Sequence, residues 1–118
     1  MKYMPLIASA NRVGGAPLGP KHTVLLFDNV KSVGSVNYAF ILGVFDDDTQ
    51  EPAFFVASEV NEMAATLGGG SHYLGVFDGE GHSSLGASDE WADARKFFPE
   101  AMRIAAERFG VRIDDKPD

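Results

Sequence analysis

The chain has 118 residues, 45% of them hydrophobic and 23% charged, with a formal net charge of −7 and no cysteine. This length and composition are typical of one globular domain that buries its core without disulfides or metal staples. The absence of cysteine excludes disulfide and thiolate chemistry and favours a reducing compartment, so we expect a cytoplasmic protein. No apolar run approaches the ~20 residues of a membrane span, and no membrane partner is expected.

The charges are unevenly distributed along the chain. No Lys or Arg occurs between Lys31 and Arg95, and every charged residue of that stretch is acidic. Binding to a phosphate backbone requires clustered basic residues, so nucleic-acid binding is not expected. Two interpretations of the acidic centre remain open: it serves solubility, or it meets a basic protein partner.

The chain begins with a segment that predicts little regular structure. Residues 11–21 contain three glycines and two prolines, so residues 1–21 are expected to form a loosely ordered arm. The run from His22 to Val30 predicts a strand, and a turn at Lys31–Ser35 leads into a second. The predicted strand from Val36 to Phe45 is apolar on both alternating faces, which predicts an interior strand with both faces covered.

A five-residue pattern then occurs twice, at Leu42–Asp46 and at Leu74–Asp78. Each copy precedes a polar turn, a second strand-like run, an Ala-Ser pair with acidic residues, and a helix-like stretch. Ser58 and Ser88 are candidate N-caps of those helices. The pattern predicts an internal ββα repeat, with one unit at residues 36–67 and the other at residues 71–109.

The predicted element order is β-β-β-α-β-β-α in one domain that spans residues 1–118. Short connections favour antiparallel neighbours, so the fold class is α+β with an antiparallel sheet of about five strands. A short middle helix at residues 59–67 and a long C-terminal helix pack on this sheet. Because the short helix is too small to cover a second apolar face, we expect a homodimer. Its interface would involve either Tyr38, Phe40, Leu42 and Val44, or else Ile41 and Phe45.

The best candidate for chemistry is the turn Asp78-Gly79-Glu80-Gly81-His82, with His72 across the predicted hairpin. Carboxylates and imidazoles are ligands of zinc and other transition metals, so the predicted metal ligands are Asp78, Glu80, His82 and His72. No zinc-type spacing such as His-x-x-x-His is present. A glycine-rich turn with solvated acids is therefore the structural alternative.

Two other stretches have a functional and a structural interpretation. The acidic turn at residues 46–51 lacks the glycine and spacing of a calcium loop, so we expect a solvated hairpin tip that binds no ion tightly. Trp91, Phe97 and Phe98 at helical spacing could line a pocket floored by Gly43 and Gly75. The structural alternative is that these rings fill the space above the glycines as core.

The leading functional hypothesis is a small acidic protein-binding or oligomeric module. No nucleophile elbow or other catalytic motif is present, so no catalytic residue or cofactor is assigned. One alternative is a small enzyme or metal-dependent protein that uses the cluster of His72, Asp78, Glu80 and His82. The other is a small-molecule-binding domain with an aromatic pocket between helix and sheet.

Overall fold

The structure, a computed structural model, describes residues 3–112. Six antiparallel strands form one sheet in which each strand pairs with the next along the chain. The strands are β1 (Ile7–Leu18), β2 (His22–Ser32), β3 (Tyr38–Asp46), β4 (Pro52–Val60), β5 (His72–Phe77) and β6 (His82–Ser88). A single helical turn, α1 (Ala64–Leu67), follows β4, and a 3-10 turn (Asp89–Ala92) leads into the long helix α2 (Ala94–Arg108). The α+β class, the antiparallel sheet and the long C-terminal helix are confirmed.

The predicted arm contains a sixth strand. β1 pairs with β2 from Ile7 to Leu18, and its register is interrupted at three places between Ile7 and Gly14. Bulges, glycine and proline are tolerated at the edge of a sheet, where one side of the strand makes no ladder. The composition of this segment therefore resembles a loop although the backbone is extended. Met1 and Lys2, the start of the predicted arm, lie outside the described residues.

The predicted middle helix and the internal repeat are wrong. β4 continues to Val60, so Ser58 and Glu59 lie in a strand, and α1 is only one turn long. Through this stretch β4 pairs with β3 on one side and β5 on the other. Two hydrogen-bonded ladders outweigh the weak helical preference of a short segment. Each of the two predicted repeat units contains a pair of strands, but among the described residues only the second pair is followed by a helix that packs on the sheet.

Two caps determine where the C-terminal helix begins. The hydroxyl of Ser88 accepts the Glu90 N–H and caps the 3-10 turn, and the carboxylate of Asp93 accepts the Arg95 N–H and caps α2. The helix then continues through Pro99 to Arg108 without restarting.

The two faces of the sheet are covered differently. The helix face packs against α2, mainly on β3 and β4, and its buried sheet residues are Leu18, Val24, Leu42, Val44, Phe54, Val56 and Leu74. The buried cluster of the opposite face, here called the open face, consists entirely of strand residues: Tyr38, Ile41, Phe55, Ala57 and Phe77. α1 covers neither face well, since its Leu67 is 75% exposed. Ile41 and Phe45 therefore belong to the face without a helix, while Leu42 and Val44 lie under α2.

The open face is buried by its own strands and by the segment before β1. Ile41 is 0% exposed although none of the helices among the described residues packs on it. The rings of Phe45 and Phe55 meet edge to face at 6.0 Å. The segment before β1 is held in place because Val33 donates its N–H to the Leu6 carbonyl oxygen over 3.2 Å. A sheet that twists strongly can bury side chains within its own curvature, and bulges increase that twist.

Candidate functional site

One carboxylate and one imidazole meet on the open face. Glu59 Oε2 on β4 lies 2.6 Å from His82 Nε2 on β6, and the Glu59 side chain is only 9% exposed. β5 lies between those two strands, so the contact crosses the sheet above Gly75. A Cβ at Gly75 would overlap the Glu59 carboxylate and lie 3.1 Å from His82 Nε2. Because Gly75 has no Cβ, the two side chains can meet directly above the backbone of β5.

The imidazole of His82 is held by an aromatic ring as well as by the carboxylate. It stacks on Phe77 with ring centroids 4.2 Å apart and an interplanar angle of 3°. The His82 side chain is 40% exposed, so the pair connects a buried carboxyl to solvent. This arrangement positions the ring through two independent contacts.

Burial dominates the electrostatics of this pair. Desolvation raises the pKa of the Glu59 carboxyl, and the neighbouring His82 opposes that shift. Burial also raises the pKa of Tyr38, with a further contribution from the negative charge of Glu59, while a hydrogen bond from the Leu6 backbone acts in the opposite direction. A buried carboxyl beside an imidazole is able to hold and pass a proton, which is the basic requirement of general acid–base chemistry.

The four predicted metal ligands are not brought together. His82 pairs with Phe77 whereas His72 pairs with Ser88, so the two histidines lie at opposite ends of the β5–β6 hairpin. Glu80 is exposed at the turn. Within residues 3–112, no group of three or more His, Asp or Glu side chains could hold a metal ion. The metal site stays a prediction, and this geometry gives it no support.

Asp78 and His72, two of the four predicted ligands, have partners that are close to them in the sequence. Asp78 Oδ1 accepts the backbone N–H of Glu80 at 2.9 Å and of Gly81 at 3.0 Å. These two bonds close the turn and hold the pKa of Asp78 below its usual value. His72 Nδ1 lies 2.8 Å from the Ser71 hydroxyl, and burial lowers the pKa of His72 while the charge of Asp89 opposes this.

The other acidic turn, between β3 and β4, is also organised by its own hydrogen bonds. Asp46 Oδ1 accepts the N–H of Asp48 and of Thr49, and Asp47 accepts the Thr23 hydroxyl at 2.6 Å. Asp47, Asp48 and Glu51 are exposed, while Asp46 is partly buried. The basic protein partner inferred from this acidic surface stays a prediction.

Among the described residues, the predicted pocket with aromatic rings above Gly43 and Gly75 is not formed. Phe97 is 0% exposed and stacks on Phe40 with ring centroids 5.8 Å apart. The glycines lie on the other face, where a Cβ at Gly43 would meet the rings of Phe45 and Phe55. Because side chains alternate along a strand, the α2 rings and these glycines face opposite sides of the sheet. Phe97 is core, as in the structural alternative.

An apolar cleft of about 340 Å³ instead opens on the open face. It lies between the first described residues and strands β2 to β4, and its lining residues are all apolar: Met4, Ile7, Ala10, Phe27, Ile41, Phe45, Pro52 and Phe55. The sequence reasoning missed it because residues 1–21 were assigned to an arm. It missed Glu59 for a similar reason, since that residue was assigned to a helix.

No protein-family model, curated protein or solved structure matches this chain. Within residues 3–112, no helix is long and apolar enough to cross a membrane. Function must therefore be argued from the geometry of the fold and its surfaces.

Proposed function

We propose that the protein is a small binding module that works as a homodimer, with the β6 strands of two copies paired antiparallel across a two-fold axis. The observation that carries this proposal is the outer edge of β6. β6 is the last strand of the sheet, and among the described residues no strand pairs with its outer side. A free edge presents backbone N–H and C=O groups that can form a ladder with another chain.

The two edges of the sheet differ in how they are protected. β1 carries Arg12 and Pro17 and has three register shifts, all of which hinder pairing with another strand. β6 has the sequence His-Ser-Ser-Leu-Gly-Ala-Ser, without Lys, Arg, Asp, Glu or Pro, and a single register shift near its middle. In a chain with a net charge of −7, the absence of acidic residues from β6 means that two paired β6 strands bring no carboxylates of their own into contact.

The side chains beside this edge also favour an added strand. Leu85 on β6 is 58% exposed. With Ser83 it lines a cleft of about 240 Å³ that is also lined by Val76 of β5 and Ile104 of α2. A strand paired with β6 would cover Leu85 from the side. Antiparallel pairing of β6 with itself is self-complementary, as a two-fold interface requires.

This dimer would join the open faces of two copies into one continuous surface. His82 lies on β6, so the Glu59–His82 pair of each copy would be near the joint. The functional consequence is a broad binding surface with two equivalent sites, in place of two separate small ones.

Sedimentation equilibrium at micromolar concentration tests the proposal, with Leu85→Lys as the test variant and Val13→Lys as its control. Val13 is 48% exposed on the opposite edge strand, so the control adds the same charge at a comparable site. We expect a wild-type dimer, a dissociation constant at least about tenfold higher for Leu85→Lys because like charges meet at the two-fold joint, and no change for Val13→Lys. A wild-type monomer without concentration dependence, or a dimer lost only in Val13→Lys, would contradict it.

A further inference from the structure

We infer that the apolar cleft of the open face binds a small uncharged aromatic molecule. The cleft has a volume of about 340 Å³, which falls within the range of small-molecule sites in proteins. It is separate from the β6 edge, because its lining comes from the N-terminal segment and from β1 to β4. The inference therefore does not depend on the proposed dimer.

The floor of the cleft offers aromatic surface in two orientations. Phe45 and Phe55 meet at an interplanar angle of 87°, so the planes of the two rings are nearly perpendicular. Phe27 adds a third ring to the lining, which also includes Ile41. An aromatic ligand is suited to such a floor because rings prefer offset-stacked or edge-to-face contacts with one another.

Part of the lining of the cleft comes from the N-terminal end of the described chain. Met4 precedes β1, and Ile7 and Ala10 lie on β1. Their segment is tied to the sheet by the bond from Val33 N–H to the Leu6 carbonyl oxygen and by the contact between the Leu6 backbone and Tyr38. A cleft bordered by this segment admits a small molecule and obstructs the surface of a folded protein.

The size and polarity of the lining set the chemical class of the ligand. An apolar cavity of about 150 Å³ is known to hold benzene, so roughly twice that volume accommodates two fused rings. No lining side chain donates or accepts a conventional hydrogen bond, and burying an unpaired charge there would be costly. The adjoining recess, which shares Phe45, contains Arg12 together with Asp46 and Asp47, so it has no positive excess to attract an anion.

Naphthalene is the probe, and its binding is followed through amide chemical shifts of the full-length protein. We expect saturable shifts in β2, β3 and β4 around Phe27, Ile41 and Phe55. Ala10→Phe, which fills the cleft from an exposed position, should weaken binding at least tenfold. Ala8→Phe is the matched control, since Ala8 is exposed on the same strand but does not line the cleft, and it should bind like wild type.

The charged analogue 2-naphthoate gives a second readout on the wild type. We expect it to bind at least tenfold more weakly than naphthalene. The inference is overturned if naphthalene causes no saturable shifts, if Ala10→Phe binds as well as Ala8→Phe, or if 2-naphthoate binds as tightly as naphthalene. Should Ala10→Phe lose the amide dispersion of a folded protein, the comparison of the two probes on the wild type decides.

Discussion

The helix face and the open face are built from alternate residues of the same strands, yet they are buried by different means. On the helix face, Leu42 and Val44 pack under α2, where Phe97, Ala101 and Ala105 are all 0% exposed. On the open face, Ile41 reaches the same 0% exposure through neighbouring strands and the N-terminal segment. A side chain in the middle of an apolar sheet face can therefore be fully buried without a helix above it.

The two faces of the sheet also differ in the polar groups that they contain. The described core of the helix face is a continuous set of apolar side chains with the single hydroxyl of Ser58 among them, and that hydroxyl donates to the Trp91 carbonyl oxygen. The open face contains a nearly buried carboxyl, a half-exposed imidazole and an apolar cleft. On the helix face the side chains of α2 pack closely on β3 and β4, whereas the open face contains a polar pair and an apolar cleft.

The largest expected effect is the loss of stability when a fully buried side chain is truncated on either face of the sheet. Phe97→Ala should lower the free energy of unfolding by about 3–5 kcal/mol and Ile41→Ala by about 2–5 kcal/mol, because each removes a fully buried side chain. Urea unfolding measures both, and Leu67→Ala, at an exposed side chain, should change stability by less than about 0.5 kcal/mol. An Ile41→Ala cost below about 1 kcal/mol would show that the open face is not a core.

A smaller effect is expected where the Glu59–His82 pair lies against the sheet. Gly75→Ala should lower the free energy of unfolding by about 1–3 kcal/mol, since the new methyl group displaces the carboxylate. Gly81→Ala is the control, because a Cβ there meets no atom within 4 Å. In a Glu59→Ala background the cost of Gly75→Ala should become smaller, as the clashing partner is absent. Additive costs in this double-mutant cycle would argue against the contact.

The smallest expected effect is a pH dependence of the free energy of unfolding that comes from Glu59 on the open face. Because burial raises the pKa of Glu59, its contribution to stability is present in full below the unfolded value of 4.5 and is lost as pH rises through the folded pKa. The free energy of unfolding of wild type, relative to Glu59→Gln, should therefore fall as pH increases above 4.5. Urea unfolding of both proteins across that window measures it. A relative stability that rises with pH would mean that the ion pair with His82 outweighs burial.

Much of the sheet was predictable because its signals are local. The run from His22 to Val30 predicts a strand, and β2 begins at His22 in the structure and extends to Ser32. The apolar alternation around Leu42 correctly indicated an interior strand, and Ser88 was correctly identified as a cap, although it caps the 3-10 turn before α2. In each case the decisive residues lie within a few positions of one another.

The site was less predictable because it is made by pairing at long range. Of the predicted cluster, only His82 takes part, and its partner Glu59 lies on β4, 23 positions earlier in the chain. The segment after Ala57 has both a helical spacing and the ability to extend a strand. Nothing local distinguishes the two, since helical preferences of this size are weak beside the ladders that β3 and β5 provide.

The class of fold, the inner strands and the capped C-terminal helix can be predicted from local patterns, because hydrophobic periodicity and caps act over one or two turns of chain. Three features depend on long-range contacts: the strand at residues 7–18, the choice of the face that α2 covers, and the meeting of Glu59 with His82 above Gly75. Those outcomes depend on which backbones pair and how the sheet twists. Both are settled by contacts between residues far apart in sequence, so no short pattern records them.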